Sequence, residues 1–118
     1  MKRNKINTEE FIKLAKEGKF NNPKIAYEVE GDVKLEGVFE HKLILIDFIF
    51  NGDFKAINAL FKESFIIENA LFKESFEIMA NFQKVFDVTN ACFNGKKQIL
   101  GSSFALIWNG KLLKEKQI

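Results

Sequence analysis

The sequence has few of the residues on which small proteins build cross-links or metal sites. Its 118 residues include one cysteine, one proline and one histidine. The single Cys92 excludes an internal disulfide and is typical of a reducing compartment. His41 and Cys92 are too few for a zinc site unless carboxylates or a second chain contribute. A chain of this length can bury a core without such aids.

Long apolar runs are absent as well. The longest run, Leu43 to Ile46, is far shorter than the roughly 20 residues of a membrane-spanning helix. The N-terminal segment Met1 to Glu10 is charged, with no apolar stretch behind it of the kind a secretory signal needs. We therefore expect a cytoplasmic protein with no membrane partner.

Charge is small in total and uneven along the chain. The net charge is +2, made of +4 in residues 1–24, −4 in residues 25–110 and +2 in residues 111–118. The basic N-terminus could contact nucleic-acid phosphates, but a solvated tail explains it more simply, so direct binding to nucleic acid stays open and is not favoured.

Aromatic residues are plentiful but of one kind. Fourteen phenylalanines stand against one tyrosine and one tryptophan. Tyrosine and tryptophan are typical of binding surfaces, whereas phenylalanine is purely apolar. The phenylalanines are therefore expected to fill a core.

The N-terminal part carries helix signals. Asn7 or Thr8 suits the N-cap, acids follow in the first turn, and Gly18 suits the C-terminal stop. We divide the chain into a basic segment with a capping helix, residues 1–24, and a second part, residues 25–118, in which strand periodicity begins after Pro23.

An internal repeat dominates that second part. Residues 69–76 restate residues 58–65 at a shift of 11, and residues 80–86 are a degenerate third copy. An 11-residue repeat fits a helix of three turns per repeat, with phenylalanines spaced i, i+4. It also fits a β-solenoid, whose short strands each point two residues inward.

Candidate inward pairs favour the solenoid. Every pair is apolar, and successive pairs start four to six residues apart: Leu43/Leu45, Phe48/Phe50, Phe54/Ala56, Ala59/Phe61, Phe65/Ile67, Ala70/Phe72, Phe76/Ile78, Ala80/Phe82, Phe86/Val88 and Ala91/Phe93. A helix over this region would need about 40 residues, well beyond usual globular lengths. It would also give no reason for the rhythm to continue across Asn51-Gly52.

These residues resemble a known family. Ala59-Leu-Phe61, Ala70-Leu-Phe72 and Ala91-Cys-Phe93 look like the small-x-Phe core of pentapeptide-repeat proteins, and the turns after Phe50 and Phe93 resemble the Phe-x-Gly of their Phe-rich members. The resemblance covers about residues 27–108. It implies an all-β, right-handed quadrilateral β-solenoid, here of about four coils with the N-terminal helix as cap.

Four pairs per coil give coils of 21 or 22 residues and predict vertical columns of side chains. We expect the columns Leu43/Phe65/Phe86/Trp108, Phe39/Phe61/Phe82/Phe104 and Phe50/Phe72/Phe93. The same register places Ile44, Ile49, Ile66 and Leu71 outside as an apolar strip. Such a strip is typical of a protein contact site, unless the N-terminal helix or the C-terminal Leu112 and Leu113 cover it.

The C-terminal end carries no comparable capping helix, and open strand edges invite pairing. We therefore expect homodimerisation through the C-terminal coil, with Leu106, Trp108 and Leu112 as contacts. No residue is assigned to catalysis, a cofactor or a metal, and we do not expect an enzyme. The hypothesis is a protein-binding module. The alternative is an inhibitor of a nucleic-acid enzyme, of the phage or mobile-element anti-defence kind or like the family's topoisomerase inhibitors, although a body charge of −4 is far from a phosphate-like array.

Overall fold

The computed structural model describes residues 3–22, 24–100 and 106–113. These residues form an all-β solenoid of about five turns with a single short helix. The helix α1 covers Thr8–Lys16. The strands are β1 (Asn4–Asn7), β2 (Tyr27–Glu30), β3 (Val33–Phe39), β4 (Leu43–Ile46), β5 (Ile49–Phe50), β6 (Phe54–Phe61), β7 (Phe65–Glu68), β8 (Leu71–Phe72), β9 (Phe76–Phe82), β10 (Phe86–Thr89), β11 (Cys92–Phe93), β12 (Lys97–Leu100), β13 (Leu106–Trp108) and β14 (Lys111–Leu113).

The strands stack into three sheets, to which each coil of the chain contributes one strand. Sheet 1 has the order β1-β2-β5-β8-β11, sheet 2 β14-β13-β10-β7-β4 and sheet 3 β12-β9-β6-β3. All pairings are parallel except that between β13 and β14. The about four coils expected from the sequence correspond to β2, β5, β8 and β11 in sheet 1, and β1 adds a fifth layer.

The observed register confirms the predicted coil length. Ile49 lies beside Leu71, and Leu71 beside Cys92, which are steps of 22 and 21 residues. The columns Phe50/Phe72/Phe93 and Phe39/Phe61/Phe82 are both present, and Phe104 lies outside the described residues.

One predicted column is wrong at its last member. Phe65 and Phe86 are register partners, but the residue opposite Phe86 is Leu106, and Trp108 lies opposite Val88. The step from Phe86 to Leu106 is therefore 20 residues, shorter than the 21 or 22 of the earlier coils. The last turn thus places Leu106, instead of Trp108, in the core column.

The inward pairs form the core. Both members of the first nine pairs are buried, whereas Ala91 and Phe93 in the last pair are half-buried. The alternative of a long helix over residues 53–93 is wrong, because this region consists of strands β6 to β11. Two apolar residues face inward on each side of the coil, and a single helical stripe could not bury all of them.

Stacked corners turn the chain between sheets 2 and 1. Asp47, Asn69 and Asn90 occupy this corner in successive coils, with φ values of 63°, 53° and 52°. Left-handed backbone is costly for most residues and least so for glycine, asparagine and aspartate. The periodic asparagines of the repeat therefore serve the corners.

The N-terminal end of the core is covered by α1. The Asn7 side chain accepts a hydrogen bond from the Glu10 amide at 2.8 Å and caps the helix. Phe11 points into the end of the core, 5.4 Å from the Phe50 ring centroid and 5.1 Å from that of Phe20. Within the described residues, no helix is long and apolar enough to cross a membrane.

Candidate functional site

The four residues of the predicted outward strip form two neighbouring pairs. Ile44 lies beside Ile66 in sheet 2, and Ile49 beside Leu71 in sheet 1. The two pairs flank the stacked corner that joins these sheets. All four side chains are half-buried. The strip is thus present as a narrow apolar band with part of its surface open.

Neither predicted cover accounts for this partial burial. Helix α1 packs mainly on β1, β2 and β3, whereas Ile44 and Ile66 lie on β4 and β7. Leu112 is 62% exposed, so its side chain faces solvent. Leu113 lies on β14, and its side chain is outside what the structure describes. The strip therefore borders solvent on the described surface.

Carboxylates border the strip at both ends. Asp87 continues the Ile44/Ile66 column, and Glu28 precedes Ile49 in sheet 1. The Asn51 side chain donates to Glu28 at 2.8 Å, and this hydrogen bond lowers the pKa of Glu28 below its ordinary range. A partner of the strip would thus meet aliphatic side chains bounded by negative charge.

The C-terminal end of the solenoid has two strand edges with no further strand beside them among the described residues. β11 is the last strand of sheet 1 and β12 the last of sheet 3. The Phe76 amide donates to the Lys96 carbonyl at 2.7 Å. In this parallel ladder, residues 96 and 98 bond to β9, so the N–H and C=O of Lys97 face away from the sheet.

The three predicted dimer contacts have different surroundings. Leu106 is fully buried within its own chain. Trp108 is half-buried, with its ring stacked on that of Phe93 at 5.6 Å, and the Lys97 ammonium lies 5.1 Å from its centroid. Leu112, on the antiparallel strand β14, is exposed. The surface at this end therefore comes from Trp108 and Leu112, with the edge strands beside them.

A furrow on the outside of sheet 3 was missed in the sequence. It has a volume of about 460 Å³ and no charged side chain in its lining: Gly37, Val38, Asn58, Ala59, Leu60, Met79, Ala80, Asn81 and Leu100. The Val38/Leu60/Asn81 column was visible in the sequence as outward-facing. Met79 and Leu100, which lie before the bend of the strand, form the opposite wall, and the sequence gave no sign that the bend brings these columns together.

Few reactive groups accompany these surfaces. Cys92 is exposed, as its place between two inward residues predicts, and its sulfur lies 3.6 Å from the Asn94 side-chain oxygen. His41 is exposed beside Gly18. Over residues 3–22, 24–100 and 106–113, no three His, Cys, Asp or Glu side chains come together as a metal site would require.

Comparison with known proteins adds no assignment. No protein-family model matches the sequence, and no significant match is found among curated proteins or among solved structures. The function must therefore be inferred from the surfaces described above.

Proposed function

We propose that this chain is a non-enzymatic protein-binding module that works as a homodimer. The observation that carries the proposal is the difference between the two ends of the solenoid. At the N-terminal end, Phe11 of α1 lies on the aromatic core. At the C-terminal end, β11 and β12 are the last described strands of their sheets, and Phe93 is half-buried.

An open end of this kind favours self-association. Strand edges present rows of backbone donors and acceptors that another chain can pair with. Since one end is covered and the other open, two copies meet through like ends. Such a contact is two-fold symmetric and closes at the dimer, whereas two open ends would permit a filament.

The side chains at the open end support the same arrangement. Leu112 is 62% exposed, and Trp108 and Phe93 present the edges of stacked rings. Aromatic residues are enriched in the centres of protein interfaces. In the proposed dimer, Lys97 and its copy in the partner lie near the two-fold axis with their outward backbone groups paired.

The repeat itself supports a further proposal, that the chain is a divergent pentapeptide-repeat protein. The small-x-Phe motifs place alanine and phenylalanine in the core at Ala59/Phe61 and Ala70/Phe72. A rigid stacked scaffold offers extended outer surfaces, and this chain has an aliphatic one at Ile44, Ile49, Ile66 and Leu71. Binding through a surface, without catalysis, is the use that this arrangement suits best.

A pair of proline variants tests the dimer. Lys97→Pro removes an N–H that faces the open edge, whereas Gln98→Pro removes one that bonds to β9. We expect the wild type to be dimeric by light scattering, and Lys97→Pro to be folded and monomeric. Gln98→Pro should lose thermal stability. Lys97→Ala controls for the loss of the ammonium over the Trp108 ring and should remain dimeric.

Two outcomes would count against the proposal. One is a wild type that stays monomeric at high protein concentration. The other is a Lys97→Pro variant that dimerises as well as Lys97→Ala does. Either result would place self-association, if any, away from the β12 edge.

A further inference from the structure

The furrow on sheet 3 concentrates the exposed apolar surface of the described chain. Of the four large apolar side chains there that are most exposed, three line the furrow: Val38 at 44%, Met79 at 46% and Leu100 at 45%. The fourth, Leu112, lies at the C-terminal end. Exposed apolar groups that cluster in one concave site indicate a contact surface, whereas scattered ones need no explanation.

The furrow runs along the solenoid axis and has distinct floor and walls. The floor is the column Gly37/Ala59/Ala80, one wall contains Val38 and Leu60, and the other contains Met79 and Leu100. Since coils are spaced at about 4.8 Å, the stretch from the first to the fourth coil is about 14 Å long. The small residues of the floor let an occupant approach the backbone closely.

An open, shallow site of this kind suits a macromolecule better than a small molecule. Small-ligand pockets usually enclose most of the ligand's surface, whereas this furrow is open along its length. Apolar grooves with such a shape accept the apolar face of an amphipathic helix. A helix rises about 5.4 Å per turn, close to the coil spacing, so successive apolar residues can meet successive coils.

A fixed cation lies at the N-terminal end of the furrow. The Lys16 ammonium donates to the carbonyls of Glu36 and Val38 at 2.8 and 2.9 Å. It also lies 3.9 Å from the centroid of the Phe39 ring. Among the described residues, no carboxylate forms an ion pair with it. An ammonium has three donors, so Lys16 can offer one more hydrogen bond to an anionic group.

We propose that the furrow binds an amphipathic helix of a partner protein, with an acidic residue of that helix at Lys16. The proposal rests on the proposed protein-binding role and names the site and the chemistry of the partner. About ten helical residues span the furrow. Apolar residues at i, i+4 and i+7 contact the furrow walls, and one Asp or Glu at the end of that row pairs with Lys16.

The probe is a helical peptide selected from a display library. The library holds three variable apolar-face positions and one variable position beyond them. It is selected against the wild type and depleted against Met79→Glu. We expect enriched peptides to carry aliphatic residues at i, i+4 and i+7 and an acid at the terminal position. By fluorescence anisotropy, Met79→Glu and Val38→Gln should each weaken binding at least tenfold.

The role of Lys16 is tested by a double-mutant cycle. Lys16→Ala should weaken the acidic peptide by up to about fivefold, as expected for an exposed ion pair. It should leave the peptide with Gln in place of the acid unchanged. A loss of equal size for both peptides would mean that Lys16 acts on the fold of the furrow and would overturn the charge pairing.

Leu112→Glu is the matched control, because it places the same charge on an equally exposed leucine outside the furrow. It should leave peptide affinity unchanged while it weakens the proposed dimer, and Met79→Glu should do the reverse. The proposal is overturned if selection gives no binder, if the enriched peptides bind Met79→Glu as well as wild type, or if dodecanoate competes for the furrow more strongly than the peptides do. A failure of this kind with an intact dimer would leave the proposed function standing.

Discussion

The rings of Phe50 and Phe72 are parallel, with centroids 4.9 Å apart and planes 3° from each other. Phe93 continues the stack at 5.2 Å and 4°. Phe72 therefore has an aromatic ring on each side along the solenoid axis. Because every coil adds one ring to this column, the core is continuous from the helix cap to the open end.

The position of a phenylalanine in the column should decide what its removal costs. Phe72→Ala leaves a cavity between two rings and should lower the free energy of unfolding by about 4 kcal/mol. Phe93→Ala removes a half-buried ring at the open end and should cost less than half as much. Urea denaturation measures both. Equal losses would show that the coils beyond Phe72 do not form the described end.

Two glycines should respond to alanine for different reasons. A Cβ on Gly52 would lie 2.5 Å from the Gly31 carbonyl oxygen in the coil before it. We expect Gly52→Ala to cost about 3 kcal/mol, since stacked backbones must separate. Gly110 has a φ of +82° but open space around it, so Gly110→Ala should cost about 1 kcal/mol. Thermal unfolding compares the two, and the reverse order would contradict the stacking.

The native cysteine can report the register directly. Leu71 is the neighbour of Cys92 on the adjacent parallel strand, with both side chains facing outward. A separation of about 4.8 Å between such strands is within disulfide range. Leu71→Cys should therefore cross-link to Cys92 under mild oxidation, as seen by the loss of free thiols. Ile49→Cys lies two coils from Cys92 and should keep both thiols within the monomer.

Stability at acidic pH should depend on Asn51. Its hydrogen bond lowers the pKa of Glu28 from the ordinary value of 4.5, while partial desolvation opposes this and Lys5, Lys73 and Arg3 assist. A lowered folded pKa adds stability above the ordinary range, which is lost as pH falls through the lowered pKa. In Asn51→Ala, NMR titration should show the pKa of Glu28 moving upward. Lys73→Gln should move it less, and an unchanged pKa in Asn51→Ala would contradict the assignment.

Much of the fold could be predicted because the solenoid rhythm is local. Each strand pair such as Ala70/Phe72 declares its inward face by itself, and the 21- or 22-residue coil then places Ile44 beside Ile66 without further information. The register failed at Trp108 because the last turn is shorter. No apolar pair marked that change in length, so the sequence could not show it.

The candidate surfaces were less accessible to sequence reasoning. The strip was found because its residues alternate with core residues within single strands. The furrow depends on where a strand bends: a register shift between Ile57 and Ala59 in β6 turns the strand, which faces the Met79 wall toward the Leu60 wall. A bend of that kind depends on the backbone geometry at Asn58, and the side-chain pattern shows no trace of it.

The central claim, a two-fold dimer through the open end, can be tested with the native Cys92. Cys92 lies on β11, the last described strand of sheet 1, so spin labels on two copies should give one dipolar distance shorter than 36 Å, the longest extent of a protomer. In Cys92→Ser, a label at Lys13→Cys on the capped end should give a longer distance. No dipolar signal from Cys92, or a shorter distance at position 13 than at position 92, would contradict the account.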